Sequence, residues 1–172
     1  MASLPIKNQK KYTTGNLPPA HLNEPSVLLL KTKKVKQKII LNGRRPANHL
    51  TPMEKLAMVK KGITKDELEV LKENAGLDYD TLAQGLSTAR ATLINIKGSD
   101  TFNFAVSEKI VGLEDIYSYG YEVFGDKETF NQWMFRPNKA LGNQAPFDLV
   151  SSQFGREEVK NLVGRIDYGV FA

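Results

Sequence analysis

From Thr51 onward the chain reads as one helix after another, each opened and closed by its own residues, and this leaves almost no room for strands. Thr51-Pro52-Met53-Glu54 is a capping box with proline at the first helical position. There the Thr hydroxyl and the Glu carboxylate satisfy backbone N–H groups that the first turn leaves without partners. Leu56, Met58 and Val59 follow, and Lys60-Lys61-Gly62 closes the helix with basic groups at its negative pole. A second helix is expected from about Thr64, with Leu68, Leu71 and Ala75 at i, i+3, i+7 and Gly76 as its stop. A long helix over about Asn103 to Phe124 places Phe102, Val106, Ile110, Leu113, Ile116/Tyr117 and Phe124 on one stripe. Gly112 and Gly120 inside it each cost about 1 kcal/mol against alanine. Such glycines mark a close helix contact, expected here between two subunits, since Tyr119 and Tyr121 add more apolar surface than one small core buries. Gly125-Asp126 ends that helix and caps the next, which holds Phe130, Trp133 and Met134 as core. Pro137–Ala145 reads as loop, and Pro146 opens a short helix through Leu149 and Val150 that Gly155 stops. A last helix runs from Arg156 to about Ile166 with Val159, Leu162, Val163 and Ile166 on its apolar side. The expected fold class is all-α.

The first fifty residues differ in kind. They hold ten Lys and Arg, among them Arg44 and Arg45, against the single acid Glu24, whereas the rest of the chain is net acidic. Pro5, Gly15, Pro18-Pro19 and Pro25 interrupt the stretch up to residue 26, which reads as irregular. Val27–Leu30 and Ile39–Leu41 fit two short strands or one extended arm that orders on a partner. Two readings of the charge stand side by side: a solvated, solubilising tail, or an arm drawn to a polyanion by release of its counterions. The 172 residues suffice for one domain with a core, or for two very small ones and a tail. There is no cysteine, both histidines (His21 and His49) lie in the basic third, and no apolar run approaches a membrane span. With no catalytic constellation, no phosphate loop and no metal-ligand spacing, the chain is expected to be no enzyme, to hold no cofactor and no metal, and to be cytoplasmic. Glu157-Glu158 and Glu114-Asp115 are sequence neighbours that do not face each other on a helix, so they read as solvated faces.

The stretch from Gly76 to Lys97 has a colinear spacing that resembles the helix-turn-helix of Xre-type regulators. Leu82-Ala83 fall in its first helix, Leu86-Ser87-Thr88 in the turn, and Leu93 and Ile96 on the buried face of the recognition helix. Ser87 stands where the turn usually has glycine, Thr88 where an apolar residue is usual, and Ala89 is a weak cap. The resemblance implies DNA contacts from Arg90, Thr92, Asn95 and Lys97, helped by Arg44 and Arg45. Read from the residues alone, a helical hairpin that merely packs fits as well.

The final third carries a more specific series: Tyr121-Glu-Val-Phe-Gly-Asp126, Trp133, Arg136-Pro-Asn-Lys-Ala-Leu-Gly142, Pro146-Phe-Asp-Leu149, Gly155 and Leu162-Val-Gly-Arg-Ile-Asp-Tyr-Gly-Val-Phe-Ala172. Six pieces in this order resemble the toxin-binding domain of the Xre/MbcA/ParS antitoxins of bacterial toxin–antitoxin pairs. The resemblance implies a basic arm (1–50), a helix-turn-helix region (51–100) and a toxin-binding region (101–172). The partner it implies is a RES-type toxin that degrades NAD, or a related ADP-ribosylating enzyme, blocked when the antitoxin's C-terminal region fills its cleft. Arg165, Tyr168 and Gly169 are then contact candidates, with Pro137, Asn138, Leu141 and Gly142 shaping a supporting loop. Phe171 and the carboxylate expected at Ala172 complete an aromatic, charged plug of the kind that dominates binding energy; a tail folding back over the core is the plainer reading. A homodimer or higher oligomer, DNA binding and control of its own operon complete the expectation. Two further readings fit the residues: a helix-turn-helix transcriptional regulator whose C-terminal domain only dimerises, and a scaffold protein outside any toxin system.

Overall fold

The computed structural model describes residues 45–97 and 99–169; the arm up to Arg44, and Phe171 and Ala172, lie outside the described residues. Eight helices follow one another among the described residues: α1 (Pro52–Lys61), α2 (Lys65–Ala75), α3 (Tyr79–Gly85), α4 (Arg90–Asn95), α5 (Phe104–Phe124), α6 (Lys127–Met134), α7 (Pro146–Leu149) and α8 (Gln153–Asp167). Short 3-10 turns stand at Ala47–His49 and Lys139–Leu141. The all-α expectation holds. Local chemistry explains where the helices begin. The expected capping box forms at Thr51, and a second one forms at Thr64, with Thr51 N–H donating to Glu54 and Thr64 N–H to Glu67, each at 2.8 Å. Asp78, Asn103, Asp126 and Ser152 cap α3, α5, α6 and α8 more simply, each side chain accepting from the backbone N–H three residues on.

The 21-residue α5 is the spine, and its neighbours lie along it in order. α1 runs antiparallel to it. Asn48 and His49, just before α1, meet Glu122 at 2.7 and 2.8 Å; Lys55 meets Asp115 at 2.7 Å; and Ile63 N–H donates to Ser107 Oγ at 3.1 Å. α8 runs parallel to α5 on another side. Arg156 meets Glu108 at 2.9 Å, Lys160 meets Asp115 at 2.6 Å, and the Tyr119 hydroxyl donates to Asp167 at 3.3 Å. Asp115 therefore ties two helices to the spine at one point. α6 folds back over the C-terminal half, where Phe130, wholly buried, packs edge-on against Tyr117, Tyr121 and Phe124. Truncating a ring packed this way costs about 3–5 kcal/mol. One hydrophobic cluster runs continuously from Val59 to Val163, so the helices before and after α5 share a core.

The packing corrects several sequence expectations. Glu114 and Asp115, read as a solvated face, are both buried on α5. Gly112 and Gly120 do admit close neighbours, but both neighbours belong to the same chain. A Cβ on Gly120 would stand 2.1 Å from the Phe130 ring, and one on Gly112 would stand 2.8 Å from Arg156 Nε. Tyr121 is equally internal, its hydroxyl set between the Asn74 carbonyl (2.8 Å) and Asn131 Oδ1 (2.7 Å). Self-association thus loses the observation that motivated it. Gly155, expected to stop a helix, lies inside the first turn of α8, which begins at Gln153 rather than Arg156. The reason is steric: a Cβ there would stand 1.9 Å from the Leu149 carbonyl oxygen, so only glycine lets α8 start against the end of α7.

Candidate functional site

The Arg165–Gly169 segment is placed by α8 and the spine together. Val159, Leu162 and Val163 turn inward onto α5, and the buried Arg156 guanidinium passes over Gly112 to hold Glu108 and the Val150 carbonyl. These contacts fix the rotation of α8 and so decide which side chains face outward. At its C-terminal end a shallow cleft opens, lined by Tyr119, Lys160, Asn161, Gly164, Arg165 and Tyr168. Tyr168 is 82% exposed, an unusual position for a large aromatic side chain. Its N–H donates to the Gly164 carbonyl at 3.1 Å, and Gly169 follows with φ +69°, donating to the Ile166 carbonyl at 3.1 Å. This is the left-handed helix ending that glycine allows without strain.

Charge in the cleft is mixed. Arg165 donates to Glu158 at 3.0 Å along the helix, while its Nε is screened from solvent and has no partner among the described residues. Lys160 is held by Asp115. Burial, and after it the neighbouring Asp167 carboxylate, push the Tyr119 hydroxyl up to about 12, so it is a neutral donor at any physiological pH. Nothing here resembles an acid/base pair, and no group of His, Cys, Asp and Glu among the described residues could hold a metal ion. The arrangement can bind, through an aromatic ring and several donors.

The Pro137–Gly142 candidates are held separately, between α6 and α7. Asn138 organises this loop: its Oδ1 accepts from Ala140 N–H at 2.9 Å, and its backbone N–H donates to the Gln144 carbonyl at 3.0 Å. Gly142 adopts φ +67°, and Leu141 is buried in the core, so it supports the loop rather than facing a partner. Pro137 and Gly142 lie on the surface.

The nucleic-acid candidates divide. Arg90, Thr92 and Asn95 are all exposed on α4, and Lys97 is exposed just beyond it. Ser87 takes φ +46° in the turn, the conformation for which glycine is the easy choice, and Lys109 donates to its carbonyl at 3.1 Å. Leu93 is buried, and Lys65 donates to its carbonyl at 2.6 Å, placing a cation at the C-terminal pole of α4. Ile96 is only partly buried and lies past the helix end. Arg90, however, is paired with Asp80 of α3 at 3.1 Å, which blunts its charge. Arg45 sits at α1, paired with Glu54, and Arg44 is outside the described residues. No helix among the described residues is long and apolar enough to cross a membrane.

Tyr119, which the sequence suggested for a subunit contact, joins the cleft together with Lys160 and Asn161, which the sequence did not single out. Phe154, 82% exposed in the first turn of α8, was missed as well. Once Gly155 is placed inside the helix, the spacing Phe154–Asn161–Tyr168 puts all three on one outward face.

Comparison with known proteins agrees with the resemblance seen in the sequence. Residues 120–169 match the antitoxin Xre/MbcA/ParS C-terminal toxin-binding domain. The chain is 32% identical over 74 residues to an antitoxin Xre of Photorhabdus laumondii subsp. laumondii, covering 42% of this chain and 50% of the relative. It is 27% identical over 116 residues to an antitoxin Xre of Yersinia enterocolitica, covering 66% and 78%. It is also 26% identical over 133 residues to the Prs ADP-ribosylating antitoxin of Sphingobium sp., covering 71% and 83%. The chain thus spans half the length of the first of these relatives and about four fifths of the other two.

Proposed function

We propose that this chain, whose C-terminal domain is of the Xre/MbcA/ParS antitoxin type, neutralises a cognate protein toxin by laying its C-terminal segment in the toxin's active-site cleft. The toxin is of RES type and degrades NAD. The observation that carries this reading is Tyr168, 82% exposed beside the Tyr119–Arg165 cleft, at the end of a domain that matches a toxin-binding family. An aromatic ring so exposed contributes nothing to the core. Buried in a partner's pocket with the Arg165 donors beside it, it would act as the anchor of an interface. The partner is a protein, and this chain acts on it by occupation rather than by chemistry.

A secondary role in binding operator DNA is favoured by the outward row of Arg90, Thr92, Asn95 and Lys97. With few cations on α4, affinity would rest on phosphate contacts made elsewhere, including the basic arm. Co-expression tests the main reading. Cells carrying the toxin and a chain ended after Asp167 should lose protection, as should Tyr168→Ala and Arg165→Ala to lesser degrees. The cut belongs after Asp167 because Ile166 packs against the core. If the shortened chain still protects and still co-purifies with the toxin, occlusion by the C-terminal segment is wrong.

A further inference from the structure

We infer that the toxin docks along the whole outer face of α8, gripping Phe154 at one end as a second anchor and Tyr168 at the other. The inference rests on the proposed function and extends it from the cleft along α8 to Phe154. Phe154, Glu157, Glu158, Asn161, Arg165 and Tyr168 fall within an arc of about 100° at the helical turn of 100° per residue. Phe154 and Tyr168 are separated by fourteen residues of helix, about 21 Å at 1.5 Å per residue. Both are 82% exposed. The opposite face of α8, with Arg156, Val159, Leu162 and Val163, is already committed to the core.

Phe154 has no structural duty that would explain it. The Ser152 hydroxyl caps the helix by accepting from Gly155 N–H at 3.0 Å, and the acidic residues a first turn usually favours are absent from that turn. Between the two rings the face is polar in a fixed order. Arg165 folds back onto Glu158, while Glu157 is exposed on the neighbouring position. A complementary partner offers two apolar pockets about 21 Å apart, with a basic group opposite Glu157. That occupant is the toxin rather than a second copy or DNA, because all six residues lie within the stretch 120–169 that matches the toxin-binding domain. Of the other exposed large apolar side chains, Met53 and Leu56 of α1, Ile94 of α4 and Phe104 of α5 lie outside it, while Phe135 lies within it but is stacked on Phe147.

The test uses the full chain and, as probe, the purified product of the reading frame adjacent to its own. Dissociation constants are compared for the unaltered chain, Phe154→Ser, Phe154→Glu, Glu157→Lys and Tyr168→Ala, with helix content and thermal unfolding as folding controls. Phe154→Glu supplies an acid to the first turn and so keeps the helix start intact even if Phe154→Ser does not. Both Phe154 variants should weaken binding about 30-fold or more, mostly through faster dissociation. Glu157→Lys should weaken it less, with a loss that shrinks as salt rises. Binding within twofold of the unaltered chain for both Phe154 variants, while Tyr168→Ala is impaired, overturns this inference and leaves the proposed function standing. A Phe154 variant that loses self-association but keeps toxin affinity assigns the face to a second copy and also overturns it. If the unaltered chain does not bind, or Tyr168→Ala binds as tightly as the unaltered chain, the proposed function fails and the inference with it.

Discussion

Gly155 and Gly164 lie on the same helix, and replacing each by alanine should move stability in opposite directions. At Gly155 the added Cβ would stand 1.9 Å from the Leu149 carbonyl oxygen and 2.7 Å from its carbon. Ordinary contact begins at 3.4 Å, so α8 and the end of α7 would have to separate by more than an ångström. The obstacle is backbone and cannot rotate aside. Overpacking of this kind costs about 1–3 kcal/mol, and the helix preference of alanine returns at most about 1 kcal/mol. The expected net loss is about 1–2 kcal/mol, or about 3–8 °C in Tm for a domain of this size. At Gly164 the same methyl would meet only the Tyr119 hydroxyl, at 3.6 Å, so the propensity gain of about 0.5–1 kcal/mol should survive. Urea unfolding followed by circular dichroism measures both. If Gly155→Ala is neutral or stabilising, a backbone clash does not set where α8 begins.

Three further outcomes follow from the packing and the caps. Asp115→Ala removes the shared partner of Lys55 and Lys160 and should cost about 1–3 kcal/mol in urea unfolding, with part of that loss already present in Lys160→Ala. The carboxyls of Asp78, Asp126 and Glu54 are held below their ordinary values of 3.8, 3.8 and 4.5 by N–H and hydroxyl donors at their helix starts. Their stabilising contribution is complete above those ordinary values and is lost as pH falls through the lower folded ones, so Tm should hold from pH 7 to about 5 and then decline; Asp126→Asn, which still caps, should shallow that decline. Releasing Arg90 by Asp80→Asn should tighten DNA binding and steepen its salt dependence, and a gel-shift series over salt showing no change would remove Arg90 from the contact set.

The fold was legible wherever the signal was local. Caps at Thr51, Thr64 and Asp126 depend on neighbours three residues away, and each helix start they announced is present. The stripe from Val106 to Phe124 is likewise a property of one helix, and its members are buried as the spacing requires, as is Phe102 just ahead of the cap. What the sequence concealed depends on a second element. A glycine that ends a helix and a glycine that admits another backbone are the same letter, and only the approach of Leu149 distinguishes them at Gly155. The same holds for Gly120, whose neighbour is Phe130 rather than a second subunit.

The candidate site was half legible for the same reason. Arg165 and Tyr168 were found through a resemblance at one end of α8, but the cleft beside them needs Tyr119 from a helix more than forty residues earlier. Reading Gly155 as the stop of the helix opened by Pro146 hides Phe154, because it leaves that residue ahead of the stop and off the face of α8. Moving one helix start by three residues, from Arg156 to Gln153, converts an isolated aromatic into the near end of a face that finishes at Tyr168. The docking face proposed for α8 therefore depends on the contact that fixes its start. A methyl group at Gly155 that tilts the helix should weaken toxin binding without altering any residue of the outer face, because it shifts the Phe154 end of that face while the chain stays almost wholly folded.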